Sequence, residues 1–95
     1  MLTIEAARKA VRRTSQEFDE ELLALMEAAK QDMRIAGVLE QHDNALYDSA
    51  VRMYLKGNFE PSAPGAESCR MIYEDLKSAM HLSYAYTEEQ DERAY

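Results

Sequence analysis

The sequence predicts an all-α protein, and three observations carry that prediction. Among 95 residues Gly occurs three times and Pro twice, so few positions interrupt a helix. Ala, Glu, Leu, Arg and Met, all good helix formers, dominate the composition. Apolar residues recur at three-and-four spacing along most of the chain, as buried helical stripes do. The expected architecture is a small bundle of about four helices over residues 1–82, followed by an extended acidic C-terminal tail over residues 83–95.

Each element has its own signals. Thr3 is an N-cap candidate for a short helix to about Val11, with Ile4, Ala7 and Val11 on one face. Thr14 with Glu17 has the capping-box form, and Ser15 is a second cap candidate, so a new helix starts there. Its stripe is Phe18, Leu22, Leu25, Met26, Ala29, Met33 and Ala36, and Gly37 supplies a left-handed C-cap. Asp43 is the expected cap of a third helix carrying Leu46, Ala50, Met53 and Tyr54, widened by Tyr47, Val51 and Leu55. Gly57, Asn58 and the stretch Glu60 to Ala63 break the pattern, and Pro64 suits the first position of a fourth helix. Along that helix Cys69, Ile72, Tyr73, Leu76 and Met80 repeat, and the pattern dies after Leu82. The expected core is Phe18, Leu22, Leu25, Leu46, Ala50, Tyr54, Ile72, Tyr73 and Leu76, because these positions fall on facing stripes.

Composition limits what such a bundle can do. A single domain of this length buries only about 60–65% of the surface its unfolded chain exposes, so a monomer of modest stability is expected. With 46% apolar and 31% charged residues, the chain is too apolar to remain disordered. The lone Cys69 has no internal disulfide partner, and no Cys or His pair has zinc-site spacing. No apolar run approaches a membrane span, and Glu5, Arg8 and Lys9 stand where a signal peptide would have its apolar core. Synthesis in a reducing cytoplasm, without membrane insertion or secretion by a signal peptide, is the expectation.

Net charge is −7, unevenly spread. Residues 1–14 carry +3, residues 15–42 carry −5 and residues 83–95 carry −3. Nonspecific DNA affinity comes from neutralising phosphates with Lys and Arg, so tight DNA binding by this chain is not expected.

No constellation points to catalysis. His42 and His81 flank helices as surface or capping residues, and no glycine-rich phosphate loop is present. The acids Glu17, Asp19, Glu20 and Glu21 fall in a first helical turn, where they complement the helix dipole. Cys69, Met26, Met33, Met53 and Met80 lie on apolar stripes and read as core filling. Arg8, Lys9, Arg12 and Arg13 lack interleaved aromatics or a recognition helix, and read as a solvated or subunit-pairing face. No enzyme, cofactor or metal centre is expected.

One stretch carries a resemblance. The run Ala45-Leu46-Tyr47-Asp48-Ser49-Ala50-Val51-Arg52-Met53-Tyr54-Leu55-Lys56-Gly57-Asn58-Phe59 is followed by Pro64, Ala66, Glu67, Tyr73, Leu76 and Leu82-Ser83-Tyr84. It resembles the head-tail connector (adaptor) family of siphophages and related prophages. That family has a helix ending near Lys-x-Asn-Phe, a turn, a helix opening Pro-x-Ala-Glu with a mid-helix Tyr, and a Leu-Ser ending. The opening helices, from Leu2 through Lys30, fit as well, so the resemblance covers about residues 2–84. The chain departs from the pattern at Ala63, where a capping Asn or Asp is common, and at Glu60, where Gly is common.

The resemblance implies a structural subunit of the virion, forming a ring, twelvefold in expectation, between the phage portal and the neck, stopper or tail proteins. Double-stranded DNA would pass through without tight binding, and acidic subunits would give it a phosphate-repelling wall. A head-to-tail ring would set Arg8, Lys9, Arg12 and Arg13 near Glu17, Asp19, Glu20 and Glu21 of a neighbour. The tail would bind the portal through Ser83, Tyr84, Ala85, Tyr86 and Tyr95, with Tyr84 and Tyr86 on one face of an added strand. The alternative is a small helical regulatory or DNA-binding protein, for which the third helix, with Asp48, Arg52 and Lys56, is a poor recognition helix.

Overall fold

A computed structural model describes residues 2–87. Its elements are α1 (Ile4–Ala10), a 3-10 turn (Gln16–Phe18), α2 (Asp19–Ile35), α3 (Ala45–Asn58), α4 (Ala66–His81) and a last helical turn, α5 (Tyr84–Thr87). The protein is all-α, a small helical bundle, and there is no strand among the described residues.

Helix ends follow local chemistry. Thr3 Oγ1 accepts the Ala6 N–H at 3.1 Å and starts α1. Ser15, not Thr14, caps the next element, and it caps the 3-10 turn, so α2 begins only at Asp19. At the end of α2, Gly37 at φ +92° closes a Schellman motif in which the Val38 and Gly37 N–H groups donate to the Met33 and Arg34 carbonyls. Asn44, not Asp43, caps α3: its Oδ1 accepts the Tyr47 N–H at 2.9 Å. Pro64 falls short of α4, which starts at Ala66 after Gly65 at φ +85°.

α3 is the central helix, with α1, α2 and α4 packed around it and α5 against α4. Leu22 and Met33 from α2, Val38 from the following loop, Leu55 from α3 and Met80 from α4 are fully buried and form the middle of the core. Leu2, Ala7, Met26, Ala29, Tyr47, Ala50, Val51 and Tyr73 complete it, and no charged side chain is buried among the described residues. Of the methionines expected there, Met26, Met33 and Met80 are buried and Met53 is half-buried against the core.

Of the expected core, Leu22, Ala50 and Tyr73 are buried, Leu25, Tyr54 and Leu76 are half-buried against it, and Phe18 is half-buried against Phe59 at the edge. Leu46 and Ile72 are corrections, at 37% and 46% exposure. Successive helical residues lie about 100° apart around the axis. Tyr47 and Tyr73, one position later in each case, take the inward direction. α3 needs a wide buried face because it has three neighbours, so Tyr47, Val51 and Leu55 carry it and Leu46 is turned out.

Candidate subunit interface

The N-terminal bases do not form one free face. The Arg8 Nε donates to Asp19 Oδ1 at 2.8 Å, and its Nη2 bonds Oδ2, so a bidentate pair ties α1 to the start of α2. That hydrogen-bonded guanidinium holds the Asp19 carboxyl below the usual carboxylate range. Arg13 pairs with Glu60 and lies over two rings, 5.6 Å from the Phe18 centroid and 5.5 Å from that of Phe59. The two rings meet edge to face at 5.4 Å. Arg8, Asp19 and Arg13, expected on the docking face, each have a charge partner within the chain. Lys9, Arg12, Glu17, Glu20 and Glu21 remain exposed.

Phe59 and Glu60 lie in the α3–α4 corner, which is held by other residues as well. Asn58 Nδ2 donates to the Tyr54 carbonyl at 2.8 Å, folding the side chain back on the last turn of α3. Gly57 lets the helices approach closely: a Cβ there would stand 2.5 Å from Arg70 Cγ and 3.2 Å from the Ala66 carbonyl oxygen. The Arg70 guanidinium donates to the Gly57 carbonyl, joining the two helices across the gap the glycine leaves. Glu60, at a position where a glycine was common in the resembling family, is the acid that holds Arg13.

Beside this corner an open groove of about 450 Å³ is lined by Val11, Phe59, Pro64 and Cys69, with Arg12 and Lys56 also on its walls. Cys69, expected in the core, is half-buried on this groove.

A second set of polar ties spans the other side of the bundle. Tyr73 O–H donates to Asp32 Oδ2 at 2.6 Å, and Lys77 Nζ reaches the same oxygen at 2.8 Å, strapping α4 to α2. Burial opposes ionisation of Asp32, yet the Lys77 and Tyr73 hydrogen bonds outweigh it and hold the carboxyl below its usual range. Burial, then the bond to Asp32, pushes the Tyr73 hydroxyl well up. The strap had no sequence signal, since Asp32 lies more than forty positions from both Tyr73 and Lys77.

The expected extended tail starts differently. Residues 84–87 wind into α5, and Tyr84 and Tyr86 do not share the face of a strand. Tyr86 folds back onto the bundle: its O–H donates to Asn44 Oδ1 at 3.1 Å, and its carbonyl accepts the Leu39 N–H at 2.8 Å. Tyr84 is exposed, Ser83 is half-buried, and Ala85 is exposed. Tyr95 lies outside the described residues. Asn44 was not foreseen in this role; serving both the α3 cap and Tyr86, it joins the helix start to the C-terminal turn.

No group of three or more His, Cys, Asp or Glu residues that could hold a metal ion is found among the described residues, and none of their helices is long and apolar enough to cross a membrane. The chain matches no family model, no curated protein and no solved structure.

Proposed function

We propose that this chain is a structural subunit of the head-to-tail junction of a tailed bacteriophage, assembling as a ring between the portal and the neck or tail proteins. Its role is mechanical, not catalytic. The observation that carries the reading is the run from Ala45 to Phe59, continued through Pro64, Ala66 and Glu67, with its resemblance to the connector family. The use the fold makes of that run supports it. Gly57 admits α4, Asn58 closes α3, Phe59 joins Phe18 and Arg13, and Ala66 is buried, so these residues act through shape and packing. The charge supports it too: subunits of net charge −7 around a channel repel phosphate and let a duplex slide.

The portal contact is assigned to the C-terminal end, where Leu82 and Tyr84 are exposed apolar side chains beside the acidic segment. The test is electron microscopy of the full chain mixed with siphophage portal rings, alongside a chain truncated after Thr87 that also carries Leu82→Ser and Tyr84→Ser and keeps the Tyr86 ties. The full chain should add a ring of density to the portal and the truncated chain should not. Bare portal in the presence of excess full chain overturns the reading. A gel shift with duplex DNA at low salt would instead favour a DNA-binding protein.

A further inference from the structure

The groove at the α3–α4 corner carries two cations that nothing in the described chain answers. Arg12 and Lys56 are exposed, and neither forms an ion pair with a described residue. Glu60 also lines the groove, but Arg13 already holds its carboxylate. Arg12 stands at φ +60°, a left-handed backbone conformation that glycine adopts freely and side-chain-bearing residues resist. A guanidinium is thus placed beside the groove at a position where backbone sterics favour glycine.

A complementary surface lies on the outward side of α2 and the turn before it. Glu20, Leu23 and Glu27 follow one another at three-and-four spacing on α2, so they form one strip, and Glu17 is exposed in the turn just before it. Leu23 is 53% exposed, and none of the three acids pairs with a cation among the described residues. The strip offers an apolar side chain flanked by carboxylates; the groove offers an apolar lining with Arg12 and Lys56.

We propose that the groove docks the α2 strip of a second copy of this chain, with Leu23 among Val11, Phe59, Pro64 and Cys69 and the acids against Arg12 and Lys56. The two surfaces differ, so the contact is head to tail, and each bound copy presents a fresh groove and strip to the next. The inference rests on the reading of the chain as a self-assembling subunit and names the surface by which it assembles.

The test is sedimentation velocity of the full chain at low salt over a wide concentration range, with circular dichroism to confirm that every variant is folded. The wild type should associate. Arg12→Glu with Lys56→Glu, and separately Glu17→Lys with Glu20→Lys, should each weaken association by at least about tenfold. An equimolar mixture of the two variants should associate again, because the reversed strip meets the reversed groove. The loss should shrink near 0.5 M salt, where surface charges are screened to within about 4 Å. If a glutamate variant loses its helical signal, Arg12→Gln with Lys56→Gln takes its place. A wild type that stays monomeric, variants that associate like the wild type, or variants that ignore each other overturn the contact. If the contact fails in this way while the chain still forms a ring on the portal, the function stands; a portal left bare removes the function instead.

Discussion

α3 and α4 are nearly equal in length, 14 and 16 residues, yet they sit in the bundle very differently. α3 buries Tyr47, Ala50, Val51, Leu55 and Gly57, and Met53 and Tyr54 are half-buried beside them. α4 buries only Ala66, Tyr73 and Met80, and leaves Met71 and Ile72 in solvent. The difference follows from neighbours: α3 is packed on by three helices, whereas α4 meets α3 and the short α5 and reaches α2 through the Asp32 strap. Periodicity tells how many apolar residues a helix has to place, and the number of packed partners decides how many of them are covered.

The largest expected effect sets the two helices directly against each other. Leu55→Ala should cost about 2–5 kcal/mol in urea unfolding, because it empties a fully buried site. Ile72→Ala should stay within about 0.5 kcal/mol, as an exposed substitution does. Equal losses would break the comparison, since the outer side of α4 would then be covered as well.

The strap comes next. Tyr73→Phe removes the bond to Asp32 without emptying the ring's site, and should cost about 1 kcal/mol in the same measurement. It also has a signature in pH. Asp19 and Asp32 are held below their usual range, so their contribution is present above about pH 3.9 and lost as pH falls through their lower native values. Tyr47 is pushed up to about 12, chiefly by burial and then by Glu40, Glu27 and Asp48. Tyr73 is also raised, so the tyrosine contribution is present below about pH 10 and lost as pH rises through the raised native values. Thermal unfolding across the pH range should show both limbs. Asp32→Asn should flatten the acid limb, and an unchanged acid limb would remove Asp32 from the account.

The smallest effect has the opposite sign. Tyr47 Oη is buried with no hydrogen-bond partner among the described residues. Removing it should relieve a desolvated hydroxyl, so Tyr47→Phe should raise stability by up to about 1 kcal/mol. A loss of similar size would show that the hydroxyl is hydrogen-bonded.

Much of this was legible in the residues, and the misses have physical causes. Thr3 and Gly37 carry their meaning locally, through a hydroxyl that caps and a residue that accepts positive φ, and both act as expected. Leu46 and Ile72 were misplaced because an apolar stripe on a short helix is wide enough to fit two rotations, and only the neighbours choose between them. The α4 start moved from Pro64 to Ala66 because Gly65 takes a left-handed turn that ends the loop just before the helix. Arg8 and Arg13 were counted as surface charge because their partners, Asp19 and Glu60, come close only after folding. Tyr86 shows the same limit, since its partners Asn44 and Leu39 lie far away in the chain. The groove had even less signal: Arg12 and Lys56 are 44 positions apart and meet only around the folded corner.

The methionine-rich core also makes the bundle sensitive to oxidation in a graded way. Met71 is 62% exposed, whereas Met33 and Met80 are fully enclosed. A thioether in solvent reacts with peroxide directly, and an enclosed one reacts only when the helices around it open. Sulfoxide should therefore form at Met71 before it forms at Met33 or Met80, with no structural consequence. Its later arrival at Met33 and Met80 would time the opening of the bundle, and each polar oxygen left there would hinder reclosure of an otherwise apolar interior.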